Sequence, residues 1–169
     1  EETSPRVSMG EMFSNAESFN QPLNDWNPGL GETVTLRNGV VMPRVSAGTW
    51  LYNDTEAASS VEAALTVGFR HVDTALDYGN QRGVSTGLRK GAAKAGLHRE
   101  DMFVTTKVPG CGIGGVDASN CVGSTSDALR KDLVALSADY AVRYLDLVLL
   151  HFPPCVVDPQ PSPTATRCS

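Results

Sequence analysis

The feature that most constrains the fold of this chain is a regular alternation of short β-type runs and amphipathic helical segments. Four β-type runs are predicted, at residues 43–50, 69–73, 102–108 and 144–151. Apolar residues at helical spacing fill the intervals between them, at 54–67, 81–95 and 124–136. Strands and helices that alternate at this spacing form right-handed crossovers and a parallel sheet. The sequence therefore predicts an α/β domain with the order β-α-β-α-β-α-β.

The ends of these elements carry their own signals. Asp54 and Thr55 are predicted to cap the first helix, because short polar side chains accept hydrogen bonds from free backbone N–H groups. Ser124 or Thr125 is predicted to begin the third helix. The apolar run at 145–150 is typical of a strand that is covered on both faces.

The segments on either side of the alternating region differ from it. Asn38 and Gly39 form the usual two-residue signal for a β-hairpin, which we expect just before the first parallel strand. Residues 1–32 are predicted to be an irregular extension, and the proline-rich residues 156–169 a tail that holds neither helix nor inner strand. The domain itself is therefore predicted to span residues 33–155.

The charge and hydropathy of the chain exclude two classes of partner. The formal net charge is −5, whereas nucleic acids and anionic lipid surfaces attract basic proteins. We therefore expect no nucleic-acid partner. The sequence holds no run of about 18 apolar residues, so no membrane-spanning helix is predicted. The first residue is glutamate, which indicates a processed or truncated end, and removal of a targeting segment would be consistent with an organelle or another oxidising compartment.

Polar residues stand at or just beyond the ends of the predicted strands. Asp73 ends the second strand, Tyr78 lies in the loop after it, Lys107 ends the third strand and His151 ends the fourth. In a parallel α/β barrel the C-terminal ends of the strands share one face, so these side chains are expected to converge. A tyrosine beside an ammonium group becomes a usable general acid, because the positive charge favours the phenolate. The arrangement suits proton delivery to an oxygen that becomes negative as a hydride reaches its carbon.

Residues 33–154 resemble the first half of an aldo-keto reductase. The run Gly-Phe-Arg-His-Val-Asp-Thr-Ala at 68–75, followed by Tyr and Asn, matches the second-strand motif of that family. Thr-Thr-Lys at 105–107 and Leu-Leu-His-Phe-Pro at 149–153 match the ends of its third and fourth strands. The resemblance implies an N-terminal hairpin and four β/α units, half of a (β/α)8 TIM barrel, and NADPH-dependent reduction of an aldehyde or ketone.

The resemblance also implies a role for each candidate site residue. The implied catalytic residues are the acid Tyr78, its tuners Lys107 and Asp73, and the substrate-orienting His151. Ala-Gly-Thr-Trp at 47–50 matches the first-strand turn of the family. Thr49 and Asp73 would accordingly contact the NADP(H) cofactor, and Trp50 would form a wall of the substrate pocket.

The chain departs from the family pattern at two points. Gln81 stands where the family usually has glutamate. A complete barrel of this type takes about 250 residues, and its second half carries the aromatic residue that stacks on the nicotinamide and the basic residues that bind the adenosine phosphate. We therefore expect open sheet edges, weak NADP(H) binding and no catalytic activity of these 169 residues alone. The alternative function is a non-catalytic structural subunit of a larger assembly, in which other protein chains cover the half-barrel.

The N-terminal extension has a resemblance of its own. Residues 9–26 are similar to a single repeat of BspA-type surface proteins, whose pattern MF-x-x-A-x-x-FNQ-x-L-x-x-W runs from Met12 to Trp26. One such unit cannot bury its own apolar face, because these repeats are stabilised by stacking on their neighbours. An aromatic-rich extension packed on the main domain is the other interpretation.

The four cysteines have no metal-ligand spacing such as C-x-x-C, so no metal site is predicted. Cys111 and Cys155 lie four residues beyond Lys107 and His151, which end adjacent strands. In register, the two cysteines would approach the Cα separation of about 5.5–6 Å that a disulfide needs. A disulfide between them across the mouth of the site is predicted, with reduced thiols as the alternative.

Overall fold

The computed structural model describes residues 30–110, 118–140 and 142–151. The first two strands, β1 (Thr33–Thr35) and β2 (Val41–Pro43), form an antiparallel pair. In the turn between them, Asn38 Oδ1 accepts a hydrogen bond from Val40 N at 3.2 Å. The predicted hairpin is therefore confirmed.

The main body of the structure is a parallel sheet with helices in the connections. Its four strands lie in the order β3 (Ala47–Gly48), β4 (His71–Asp73), β5 (Phe103–Val108) and β6 (Leu147–Leu150). The helices are α1 (Asp54–Thr66), α2 (Gln81–Ala95) and α3 (Cys121–Leu136). Strand order follows chain order, as in one continuous arc of a barrel. The predicted α/β architecture is confirmed.

The register of the sheet aligns positions that carry the site. Gly48 of β3 is level with Asp73 of β4, and Asp73 is level with Thr105 of β5. Lys107 of β5 is level with Leu149 of β6. Residues that are level in parallel strands point to the same face of the sheet.

The predicted capping residue of the first helix and the predicted start of the third helix were wrong by one to four residues. Asn53, not Asp54 or Thr55, caps α1: its Oδ1 accepts hydrogen bonds from the backbone N–H groups of Thr55 and Glu56, at 2.9 and 3.0 Å. The Glu56 carboxylate in turn accepts a hydrogen bond from the backbone N–H of Asn53 at 2.9 Å, which completes a capping box. The carboxylate of Asp54 is instead used by a tertiary contact, since its Oδ1 accepts from Gly83 N at 2.7 Å.

The third helix begins at Cys121 rather than at Ser124 or Thr125. Asn120 supplies the cap, and its side chain accepts a hydrogen bond from Gly123 N at 3.3 Å. The hydroxyl of Ser124, which is inside the first turn, donates to the Asn120 carbonyl at 2.7 Å. Ser124 and Thr125 therefore lie within the helix, and Asn120 caps its N-terminus.

Three glycines at four-residue intervals let α2 pack closely on α1. A Cβ added at Gly83 would lie 2.2 Å from the Asp54 carbonyl oxygen, and one added at Gly87 would lie 2.7 Å from the Ala58 carbonyl oxygen. At Gly91 the same atom would meet the side chain of Leu65 at 2.8 Å. The two helices therefore approach each other closely through this glycine face.

The core lies between the helices and the outer face of the sheet. Its fully buried side chains include Val61 and Leu65 of α1, Val84 and Leu88 of α2, and Leu136 of α3. Because each helix contributes side chains at helical spacing, burial of this cluster stabilises all three crossovers together.

The strand β6 corrects one expectation. The apolar run was expected to be covered on both faces, but Val148, Leu149 and Leu150 are 39%, 40% and 59% exposed. The reason is position, because β6 is the last strand in the sheet order and pairs only with β5 among the described residues. The expectation of an open sheet edge with uncovered apolar side chains is confirmed for this strand.

An ion pair with low exposure ties β6 to the loop before β5. Arg99 donates to a carboxylate oxygen of Asp146 at 2.6 Å and to the Tyr144 carbonyl at 2.9 Å. The same Asp146 oxygen accepts from Val104 N at 2.8 Å. The Arg99 guanidinium also lies 4.0 Å from the centre of the Tyr144 ring. The pair thus compensates its own desolvation with several further contacts.

Several sequence predictions concern residues outside the described ranges. These are most of the 1–32 extension with the repeat-like residues 9–26, the tail at 156–169, and the cysteines of the predicted Cys111–Cys155 disulfide. Cys121 is disulfide-bonded. Within the described ranges, no helix has the length and apolar character needed to cross a membrane, and no group of three or more His, Cys, Asp or Glu side chains could hold a metal ion.

Candidate active site

Lys107, at the end of β5, is the centre of the candidate site. Its ammonium group forms an ion pair with the carboxylate of Asp73, and it donates to the hydroxyl oxygen of Tyr78 and to the Thr74 carbonyl, each at 3.1 Å. The side chains of Lys107 and Asp73 are 15% and 27% exposed. The ammonium is therefore held at three points in a place that solvent reaches only partly.

The backbone that follows β4 positions Tyr78. A single 3₁₀ turn, Leu76–Tyr78, places the tyrosine, whose N–H donates to the Ala75 carbonyl at 3.0 Å. Gly79 ends the turn with a φ of +66°, a left-handed conformation that favours glycine. The tight turn brings the phenol back over the end of the sheet, where Lys107 reaches it.

His151 comes to the same site from β6. Its backbone N–H donates to the Val108 carbonyl at 2.9 Å, which extends the parallel pairing by one step. Its ring centre lies 5.6 Å from that of Tyr78, edge to face at 69°. Its Nδ1 lies 3.4 Å from a carboxylate oxygen of Asp77, a neighbour that the sequence did not single out.

Trp50 forms one side of the site and Thr49 lies beneath it. The Trp50 ring is 4.8 Å from the Tyr78 ring, tilted by 58°, and the residue is 57% exposed. Thr49 is fully buried, and its hydroxyl is 3.0 Å from the hydroxyl of Thr74. The hydroxyl of Thr49 is thus used inside the protein.

Asn80 is a structural residue of the site to which sequence reasoning gave no role. Its buried amide donates to the carbonyl oxygens of Thr49 and Tyr52, at 2.7 and 2.8 Å. These bonds join the loop that carries Trp50 to the loop that carries Tyr78. The position of Asn80, just after the tyrosine in the quoted motif, was a signal for such a role.

The four residues predicted to converge, Asp73, Tyr78, Lys107 and His151, do meet in the structure. The direction of the hydrogen bonds decides what the phenol can do. Lys107 can only donate, so the Tyr78 oxygen accepts from it and the phenolic proton is directed elsewhere.

Asp132 of α3 is a buried carboxylate next to the site. Its exposure is 0%, and it accepts a hydrogen bond from the hydroxyl of Thr106 at 2.6 Å. Burial raises the pKa of Asp132, an effect that the hydrogen bonds from Thr106 and Gln81 oppose and the negative charge of Asp77 reinforces. Sequence reasoning missed this residue, which sits at an inward helical position but has no apolar side chain.

Known proteins are similar to this chain in sequence and in fold. The profile of the Aldo/keto reductase family matches residues 44–165, which is more than half of the chain. The chain belongs to the aldo/keto reductase family. The D/L-glyceraldehyde reductase of Hypocrea jecorina is 40% identical over 124 residues, and the glyoxal reductase of Bacillus subtilis is 38% identical over 125 residues.

The similarity covers most of this aldo/keto reductase chain but a smaller part of its relatives. The two alignments each cover 73% of the chain, and 34% and 40% of the respective relatives. A solved structure, the Bombyx mori aldo-keto reductase in complex with NADP, superposes with a TM-score of 0.60 at 29% identity, over 72% of this chain and 38% of that one. The chain thus spans about a third to two-fifths of the length of these relatives, and it adopts the corresponding part of their fold.

Proposed function

We propose that this aldo/keto reductase chain provides the proton-donating half of a site for NADPH-dependent reduction of an aldehyde or ketone. The observation that carries the proposal is the contact of the Lys107 ammonium with both the Asp73 carboxylate and the Tyr78 hydroxyl. A phenol that accepts a hydrogen bond from a cation is a better proton donor, because the charge stabilises the phenolate that remains.

Each residue has a separate task in the proposed reaction. His151 and Trp50 flank the Tyr78 ring, so they would orient the substrate carbonyl toward the phenol. Tyr78 would transfer its proton to the carbonyl oxygen. Lys107, held by Asp73, would stabilise the phenolate until it is reprotonated.

The donor set fits the reactive end of a nicotinamide cofactor. Trp50 is 57% exposed and the Asp73 side chain is 27% exposed, so both border the opening of the site. A nicotinamide ring is planar and polar, and it would find an aromatic surface in Trp50 and a hydrogen-bond acceptor in Asp73. Bound NADPH would supply the hydride for the carbonyl carbon. Asp73 and Trp50 would help to hold the nicotinamide end. Thr49, which is fully buried and has its hydroxyl engaged with Thr74 and its carbonyl with Asn80, would support them from beneath rather than contact the cofactor.

The proposal is tested by substitution of the proton donor. NADPH binding is measured by fluorescence titration, and oxidation by absorbance, with glyceraldehyde and glyoxal as probes because relatives carry those names. Loss of a general acid lowers turnover by roughly 10²–10⁴-fold, so Tyr78→Phe should do so while it leaves NADPH affinity in place. Tyr144→Phe makes the same chemical change beside Arg99 and should leave turnover unchanged. Equal turnover by the Tyr78→Phe variant and the wild type would refute the proposal.

A second candidate function is that of a structural subunit, and the exposed side chains of β6 favour it. Val148, Leu149 and Leu150 present apolar surface at an open sheet edge, the kind of surface that mediates protein contacts. A native mass above the 17.9 kDa of one chain, reduced to that value by Leu149→Lys, would support it. A stable monomer that binds no NADPH would contradict both functions.

A further inference from the structure

Asp77 is a carboxylate of the candidate site to which the proposed reaction gives no task. It is the middle residue of the 3₁₀ turn Leu76–Tyr78, so it directly precedes the proposed proton donor. Its carboxylate oxygen Oδ2 lies 3.4 Å from Nδ1 of His151, and the ring centre of His151 lies 5.6 Å from that of Tyr78. The carboxylate of Asp77 is therefore placed beside the imidazole that flanks the phenol.

The contact between Asp77 and His151 is electrostatic. Their separation of 3.4 Å is longer than an ordinary N–H···O hydrogen bond, which extends to about 3.2 Å, but it is within ion-pairing distance. The side chain of His151 is 15% exposed and that of Asp77 is 31% exposed. A ligand in the opening of the site can therefore reach the carboxylate more readily than the imidazole, and it meets the charge of Asp77 there.

The formal charges of these side chains do not favour an anion. The Lys107 ammonium is matched by the carboxylate of Asp73. Among the described residues, Asp77 forms an ion pair with His151 alone, and that residue is charged only when it is protonated. With a neutral imidazole the four side chains carry one negative charge in excess, and with a charged imidazole they carry none. In neither state do they offer a net positive charge to an anionic ligand.

The hydrogen-bonding capacity of Asp77 points to the same class of ligand. An ionised carboxylate accepts hydrogen bonds and donates none. A hydroxyl group on the carbon next to the substrate carbonyl can therefore donate to Asp77 while the carbonyl oxygen faces Tyr78. A carboxylate in place of that hydroxyl would bring two negative charges together. At a separation of about 6 Å and an effective dielectric constant of about 20–40, this repulsion weakens binding by roughly 10–100-fold.

We propose that Asp77 is a specificity-determining residue, which makes the site select neutral hydroxy-aldehydes and hydroxy-ketones over 2-oxo acids. The proposal rests on the proposed function, since it names the substrate class of the same site. Because the selection is made by charge, a side chain of the same shape without the charge should lose it.

The test compares two aldehydes of similar size, glycolaldehyde and glyoxylate, which carry a hydroxymethyl group and a carboxylate beside the aldehyde. Their binding to the ¹⁵N-labelled chain without cofactor is measured by the NMR shift of the Trp50 indole N–H, because that ring lies against Tyr78. Trp50→Phe assigns the signal. The wild type should bind glycolaldehyde roughly 10–100-fold more tightly than glyoxylate. Asp77→Asn should reduce this preference about tenfold or more, whereas Asp77→Glu, which keeps the charge, should retain it.

A remote charge change separates the local effect of Asp77 from the net charge of the chain. Glu100→Gln removes one negative charge from an exposed residue that precedes β5, at the end of that strand opposite to Lys107, and it should leave the preference unchanged. Equal preferences in the wild type and Asp77→Asn, or the same loss in Glu100→Gln, would overturn the proposal and leave the proposed function standing. Selective binding without any oxidation of NADPH would contradict only the proposed function, and binding of neither aldehyde would contradict both.

Discussion

A glycine-to-alanine substitution at the contact of α1 and α2 gives a sharp test of the packing described above. In an isolated helix, alanine is favoured over glycine by roughly 1 kcal/mol. In this structure, a Cβ at Gly87 would lie 2.7 Å from both the Ala58 carbonyl oxygen and the Cβ of Val61. Two effects of opposite sign therefore compete at one position.

The structure decides which effect is larger. Carbon atoms pack best at about 3.5–4.0 Å, so the helices would have to separate by nearly 1 Å, although Val61 and Leu88 beside the contact are fully buried. Overpacking of this kind costs about 1–3 kcal/mol. At Gly83 the obstacle is the Asp54 backbone at 2.2 Å, which cannot rotate away, so the loss should be about 3 kcal/mol or more. At Gly91 the nearest atoms are the Cδ1 and Cβ of Leu65 at 2.8 and 2.9 Å, and no backbone atom of α1 lies closer than 3.2 Å, so the loss should be smaller than at Gly83.

Urea unfolding followed by circular dichroism measures the effect. With a slope of about 1–3 kcal/mol per molar urea, the overpacking cost less the gain in helix propensity is a net loss of up to about 2 kcal/mol for Gly87→Ala, which lowers the midpoint by up to roughly 1 M. Gly31→Ala is the control, because no atom lies within 4 Å of its added Cβ. A higher midpoint for Gly87→Ala, as helix propensity alone predicts, would refute the close packing of the two helices.

Further substitutions test other contacts by the same assay. Arg99→Ala should cost about 3–5 kcal/mol, because it leaves the carboxylate of Asp146 without its partner; a loss below about 1 kcal/mol would show the pair to be solvated. Asn53→Ala should cost about 1 kcal/mol through loss of the α1 cap, and an unchanged midpoint would assign capping to another group. The raised pKa of Asp132 means that the native state holds its proton more tightly than the unfolded chain. The free energy of unfolding should therefore fall as the pH rises from about 4 through the raised native pKa. Asp132→Asn should remove this part of the pH dependence. An identical pH dependence in the variant would contradict a raised pKa at Asp132.

The order of strands and helices could be predicted because β-type runs and helical spacing of apolar residues are local features of the sequence. The interval from Phe103 to Val108 is a continuous β-type run, and α2 was predicted with both of its ends because Gly96 follows the last apolar position. The convergence of Lys107 with Tyr78 also followed, because parallel strands place their C-terminal ends together.

What escaped prediction depends on pairs of residues that are distant in sequence. The sequence predicted Asp54 as a cap, but its carboxylate accepts a hydrogen bond from the backbone N–H of Gly83, which is 29 residues away in the sequence. The glycine face of α2 has meaning only against the backbone of α1. The exposure of the β6 side chains depends on the position of this strand at the edge of the sheet. An apolar run in the sequence does not distinguish an edge strand from an inner strand.

The alignment of the parallel strands has a consequence for the chemistry. Lys107 lies two residues beyond the position level with Asp73, and His151 lies two residues beyond the position level with Lys107. From each strand to the next, the functional group is therefore displaced by two residues, or about 6.6 Å, along the strand direction. Because side chains alternate between the two faces of a strand, only a displacement by an even number of residues keeps all three groups on the same face of the sheet. The long side chain of Lys107 spans this displacement to reach the carboxylate of Asp73. Deletion of a single residue from β5 would place the lysine on the opposite face of the sheet.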